Sequence, residues 1–171
     1  MTAASNALFA LHGHRLVRYF SRAVGHAELA RDLTQEVFLR VSRTAIPATT
    51  DGDLSAWLFR IARNVALDHH RGRERRPEPT VLNDVHARPA SQDVVVAVNA
   101  ALASLPPLDR DVFLLREVVG LSYDEIAGAC DVTPDAVRSR LHRTRLELRQ
   151  QLAAPISTRQ AAPMRRSGEH Q

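Results

Sequence analysis

Cysteine is nearly missing from this chain. Cys130 stands alone, which excludes an internal disulfide and any zinc site built from cysteines. Its bland reading is a small core residue on a helix, where free cysteine is commonly buried. Lysine is missing altogether, so all 23 basic residues are arginine. Long apolar runs are missing too, and none approaches the ~20 residues that span a bilayer. In the N-terminal MTAASNALFALHGHR the first arginine follows the apolar patch, the reverse of a secretory signal. The expected compartment is therefore the cytoplasm, with no membrane insertion. No phosphate-cradling glycine loop and no nucleophile elbow occurs. His12 with His14, and His69 with His70, come without the carboxylates or cysteines that a metal site needs. The expectations are no enzyme, no catalytic residue, no metal and no cofactor.

What is present belongs to a folded protein: 171 residues, 44% hydrophobic and 25% charged, with formal charge +4 and a pI near 10.4. Arginine's planar fork suits bidentate contact with phosphates and guanine edges, so a polyanion is the leading class of partner. Strand alternation is scarce and helical periodicity dominates, which predicts an all-α protein. ELARDLTQEVFLRVSR, residues 28–43, repeats apolar side chains at Ala30, Leu33, Val37, Phe38 and Val41. TAIPATTDGD, 44–53, reads as a loop, and a helix resumes from Leu54 to about Arg73. From Pro77 to Ser91 periodicity fades and prolines accumulate, marking a linker between two helical blocks. The second block runs from about Asp93 to Ala153, and the polar tail beyond it is expected to be disordered.

In the second block, Ser122 and Glu125 stand at capping-box spacing and start a helix near Tyr123. Asp131 then falls where a tight turn needs positive φ, and Thr133 caps a new helix with Pro134 at its first position. Helix, short turn and capped helix make a helix-turn-helix. On the last helix Val137, Leu141, Thr144, Leu148 and Leu152 form a core stripe. Arg138, Ser139, His142 and Arg143 lie opposite, where a helix entering the major groove meets base edges; Arg140 and Arg145 flank the stripe and are expected to reach phosphates.

In the first block the helix from Trp57 buries Leu54, Leu58, Ile61, Ala62 and Val65. Trp57, Arg60, Asn64, Leu67 and Arg71 share another strip. An aromatic, a bidentate amide and arginines in line match what unpaired nucleic acid requires: a stacking surface, an edge reader and phosphate neutralisation. Helix 28–43 differs, for Glu28, Asp32, Gln35, Glu36 and Leu39 make an acidic face that repels DNA and suits a basic or amphipathic protein.

Three motifs in order, ARDLTQEVFLRV, WLFRIARNVALDHHR and SLPPLDRDVFLLREVVGLSYDEIAGACDVTPDAVRSRLHRTR, resemble the sigma-70 family. The likeness is to its small extracytoplasmic-function (group IV) members, which keep only regions 2 and 4. The resemblance covers roughly residues 8–76 and 95–152. It implies two small helical domains, region 2 at 1–76 and region 4 at 95–153, joined by a flexible linker at 77–94 and followed by a disordered tail at 154–171. It implies RNA polymerase core enzyme, promoter DNA and an anti-sigma factor as partners. Asp32, Gln35, Glu36 and Leu39 are then the polymerase contact. Trp57, Arg60, Arg63, Asn64 and Arg71 serve the melted minus-10 element, with the loop from Pro47 to Asp53 forming part of a base pocket. Arg138, Ser139, Arg140, His142, Arg143 and Arg145 serve the minus-35 duplex. Asp131 stands where the family commonly has glycine, Ala136 where threonine is usual, and TAIPATTDGDL is an unusual pocket loop. A stand-alone helix-turn-helix regulator is the alternative; it accounts for the second block and leaves the first without a task.

Overall fold

The computed structural model describes residues 3–47, 50–75 and 90–153. The tail from 154 onward, most of the expected linker and residues 48–49 of the expected pocket loop lie outside the described residues. Seven helices follow one another among the described residues: α1 (Ala3–Val24), α2 (Ala27–Ser42), α3 (Asp51–Arg75), α4 (Ala90–Ser104), α5 (Pro107–Leu114), α6 (Tyr123–Cys130) and α7 (Pro134–Ala153). The fold is all-α, as the periodicity predicts. α1 and α4 are the long helices that sequence reading did not delineate. α4 begins at Ala90, inside the stretch read as linker.

Local chemistry explains most boundaries. Gly25, at φ 72°, ends α1 in the left-handed conformation that glycine adopts without a Cβ penalty. The His26 ring nitrogen then accepts from the Leu29 N–H and caps α2. α3 starts three residues before the expected Leu54. The Thr50 hydroxyl oxygen accepts from the Asp53 N–H at 3.3 Å and donates to the Asp53 carboxylate at 2.7 Å, a reciprocal cap whose Thr-x-x-Asp signal lies within the loop. α5 runs on into a wide π-helical turn over Leu115–Val119, closed by Gly120 at φ 82°. Such turns are uncommon and need outside support. Here Arg116 donates to the Leu121 carbonyl at 2.7 Å, and Arg15 of α1 donates twice to the Val119 carbonyl at 3.2 Å.

α1, α2 and α3 pack together around Leu16, Tyr19, Phe20, Val37, Leu58 and Phe59, all fully buried. Phe59, which the sequence reading did not name among the buried residues, is fully buried, whereas Leu54 and Ile61, which it did name, are only partly buried because they sit at the edge of the packed face. α5, α6 and α7 enclose Val112, Leu114, Leu115, Ile126, Val137 and Leu141. The two halves then close on each other, α3 along α6 and α1 along the end of α5, so that one apolar cluster runs through both. The approach is tight at Gly128, where an added Cβ would stand 3.2 Å from the Ala56 methyl. A side chain at 128 would force α6 and α3 apart by a few tenths of an ångström, so glycine suits the closest part of the contact.

Candidate nucleic-acid interface

The helix-turn-helix forms as its residues predict. Ser122 and Glu125 complete a capping box on α6, Asp131 takes the left-handed conformation at φ 57°, and the Thr133 hydroxyl accepts from the Ala136 N–H. Val137, Leu141, Thr144 and Leu148 are buried. Leu152, expected in the same stripe, is 46% exposed and lines an open apolar groove with Val98, Leu102 and Phe113, because α4 and α5 leave a gap beside the end of α7 that they do not fill.

The six polar residues expected on α7 divide into two sets. Arg138, Ser139, His142 and Arg143 line one hollow on the outer surface of the helix and are exposed. Arg138 rests against Tyr123 and pairs with Asp135 one turn earlier; that pair is open to solvent and worth little, so a base or phosphate displaces it at small cost. Arg140 and Arg145 are turned away from this hollow. Arg140 is held by Asp109 of α5 in a half-buried pair. Arg145 donates twice to Glu117, at 3.1 and 2.6 Å. Each flanks the core stripe closely enough to meet a carboxylate of the neighbouring element, which ties α7 to the half it belongs to; the expected reach to phosphates requires these pairs to open, the Arg145 pair being the more exposed of the two.

The strip on α3 divides as well. Trp57, half-buried, and Asn64, exposed, open on a groove between α2 and α3 that is completed by Arg40, Arg43, Thr44 and Ile61. Leu67 is partly buried and Arg71 exposed farther along. Arg60 faces the other way and donates from Nε at 3.2 Å and Nη2 at 2.8 Å to the Gly128 carbonyl of α6. Arg63 is drawn inward: its Nε donates at 2.8 Å to Asp111 of α5, whose other carboxylate oxygen accepts from the Tyr19 hydroxyl at 3.2 Å. Asp111 is 5% exposed at its side chain. Burial pushes its carboxyl above the ordinary range, and the Arg63 guanidinium pulls the other way. Two of the three arginines placed at the minus-10 strand on sequence grounds, Arg60 and Arg63, are therefore engaged by the second half of the protein in this arrangement.

The acidic surface on α2 is present as read. Glu28, Asp32 and Gln35 are exposed, and Leu39 is 51% exposed among them. Glu36 also ion-pairs with Arg40, one turn later, and Arg40 reaches Asp68 of α3 at 3.1 Å. Among the described residues no group of three or more histidine, cysteine or acidic side chains is placed to hold a metal, and no helix is long and apolar enough to cross a membrane. Three contributors to the site carried no usable sequence signal. Arg40 and Arg43 join the groove only because α2 crosses α3 at that end, and Asp111 matters only because the halves meet.

Comparison with known proteins agrees with this layout. The model for sigma-70 region 2 matches residues 8–76, and that for sigma-70 region 4 matches residues 96–148. The extracytoplasmic-function (ECF) RNA polymerase sigma factor SigE of Mycolicibacterium smegmatis is 37% identical over 152 residues, covering 83% of this chain and 59% of its own length. The ECF sigma factor SigC of Mycobacterium tuberculosis is 36% identical over 139 residues, covering 77% of this chain and 72% of that one. The ECF sigma-E factor of Escherichia coli is 30% identical over 159 residues, covering 83% of each. Among solved structures, CnrH bound to the cytosolic domain of CnrY superposes with a TM-score of 0.68 at 27% identity, covering 88% of both chains. The sigma factor RpoE of Bartonella quintana, solved with the anti-sigma factor NepR, gives 0.66 at 22% identity, covering 90% of this chain and 99% of that one, a likeness of fold. With both regions matched in order, and with relatives at this identity covered over most of their length, the chain belongs to the ECF group of the sigma-70 family.

Proposed function

We propose that this sigma factor binds core RNA polymerase and directs promoter-specific initiation, without catalysing any step itself. The observation that carries the reading is that one chain presents three separate surfaces of different chemistry: an acidic face with an exposed leucine on α2, a groove of Trp57 and Asn64 on α3, and an arginine-rich hollow on α7. A stand-alone helix-turn-helix regulator needs only the third.

Asp32, Gln35, Glu36 and Leu39 form the polymerase contact. Arg138, Ser139, His142 and Arg143 enter the major groove at the minus-35 element, where a good bidentate arginine contact discriminates by ~1–3 kcal/mol. Asn64, beside the Trp57 ring, reads a minus-10 base that has left the stack, an extrusion costing a few kcal/mol that the rest of the complex offsets. Arg60 and Arg63 serve the same strand only once α5 and α6 draw away from α3, which breaks the contacts to Gly128 and Asp111. The two solved neighbours are complexes with CnrY and the anti-sigma factor NepR, which supports an anti-sigma partner here also. Work with polymerase places the protein in the cytoplasm.

Run-off transcription with core polymerase on genomic fragments tests the function and maps the promoter together. Asp32→Arg with Glu36→Arg is expected to abolish both transcription and co-purification with core enzyme while leaving the helical circular dichroism intact. Normal holoenzyme formation by that variant overturns the polymerase assignment.

A further inference from the structure

An extruded base in the Trp57–Asn64 groove leaves its own phosphates at the rim, and a rim that holds single-stranded DNA needs a cation with free donors. Four arginines lie near enough to be considered, and the structure separates them. Arg60 is turned to the Gly128 carbonyl by Nε and Nη2, and Arg63 is drawn inward by its Nε bond to Asp111, so neither guanidinium faces the groove. Arg40 lines the groove, yet its Nε and Nη1 are held at 2.9 and 3.1 Å by Glu36 and Asp68, and the two carboxylates compensate its charge. Arg43 lines the same groove, is exposed, and has no hydrogen bond or ion pair from its side chain among the described residues.

Its backbone is fixed while its side chain is not. Arg43 caps the C-terminus of α2 at φ −97°, ψ −5°, with its N–H directed to the Arg40 and Val41 carbonyls. The Cα of Arg43 is thus held beside the groove, which its unpaired guanidinium lines. The adjacent carbonyl ends of α2 favour a cation there without neutralising it.

We infer that Arg43 binds the phosphodiester flanking the extruded minus-10 base, and so positions the strand whose base Asn64 reads. The inference rests on the minus-10 reading of the groove given above. It differs from the sequence reading in naming a residue of α2, where that reading relied on Arg60, Arg63 and Arg71 of α3.

The test uses holoenzyme and a fluorescent single-stranded oligonucleotide carrying the minus-10 segment mapped by run-off transcription, titrated over a salt series. Arg43→Ala is expected to bind about three- to tenfold more weakly at low salt, with the slope of log K against log salt shallower by about 0.7 and the base preference unchanged. Arg43→Lys should keep the wild-type slope, because one charge on one phosphate suffices for counterion release. A neutral methylphosphonate scanned along the oligonucleotide should, at one position, weaken the wild type by the same factor and weaken Arg43→Ala no further. Wild-type affinity and slope in Arg43→Ala overturn the assignment. So does a loss of base preference with the slope intact, which would make Arg43 a base reader. If wild-type holoenzyme itself fails to prefer the minus-10 oligonucleotide over a scrambled one, the reading of the groove fails first, and that result is separable from a silent Arg43→Ala on a preferring wild type.

Discussion

α3 and α7 are both long, arginine-rich helices, and they use their arginines in opposite proportions. α7 keeps Arg138 and Arg143 outward and gives Arg140 and Arg145 to carboxylates of its own half. α3 keeps an aromatic and an amide at its open groove and gives Arg60 and Arg63 to the other half of the protein. A count of arginines along a helix therefore says little about what it binds. The nearest carboxylate or free carbonyl decides, and on α3 those groups come from across a domain contact that has to part before both arginines are free.

The largest effect expected from this arrangement concerns Cys130. It lies 5% exposed beneath the contact, near Arg63, Asp111 and Arg140, and burial pushes its thiol up to about 12. Alkylation of the native chain at pH 8 should be slower by about a thousandfold or more than that of the urea-unfolded chain, since the thiolate is the reactive form. A raised thiol pKa gives a contribution that is full below the unfolded value of about 8.5 and is lost as pH rises toward the folded value, so alkaline denaturation should flatten in Cys130→Ala. Labelling at the unfolded rate would mean that the halves do not close as described.

Next in size is the buried pair. Arg63→Ala leaves Asp111 with the Tyr19 hydroxyl and the more distant charge of Arg110, at a cost of about 3 kcal/mol in denaturant unfolding unless the halves part to hydrate the carboxylate. Arg63→Leu combined with Asp111→Leu should cost less than either single change, because no unpaired charge is left behind. Equal costs for single and double variants would show that the pair does not hold the contact.

The division on α7 gives a smaller, sharper test. Arg140→Ala should destabilise the fold by about 1–3 kcal/mol by stranding half-buried Asp109, with minus-35 base preference unchanged. Arg138→Ala and Arg143→Ala should leave stability within ~0.5 kcal/mol and alter preference across a library of minus-35 point mutants. Unchanged preference in the latter two refutes base reading by these residues. The smallest effect is at the turn, where Asp131→Gly should raise stability by up to about 1 kcal/mol by relieving a left-handed residue that carries a Cβ. A loss of stability there would mean that the Asp131 side chain contributes to the turn.

Legibility of the chain followed the range of the physics involved. Capping at Ser122 and Thr133, the left-handed Asp131, and the buried stripe from Val137 to Leu148 were readable because each depends on residues within a few positions. The early start of α3 was readable in principle from Thr50 and Asp53, but the glycine and proline of the surrounding loop masked it. Phe59 at the centre, Arg63 turned inward and Leu152 left outside were not readable, since each depends on which helix lies opposite and where it stops.

From the chain alone came the all-α class, the helix-turn-helix and the family, because capping chemistry, 3.6-residue periodicity and ordered motifs are local properties. Tertiary structure decided the fate of the arginines. A guanidinium reaches several ångströms from its backbone and pairs with whatever carboxylate or carbonyl folding brings within that reach. Asp111 lies 48 residues from Arg63 in sequence and Gly128 lies 68 from Arg60, so only the closing of the two halves could engage those two arginines, while the crossing of α2 and α3 set Arg43 at the groove.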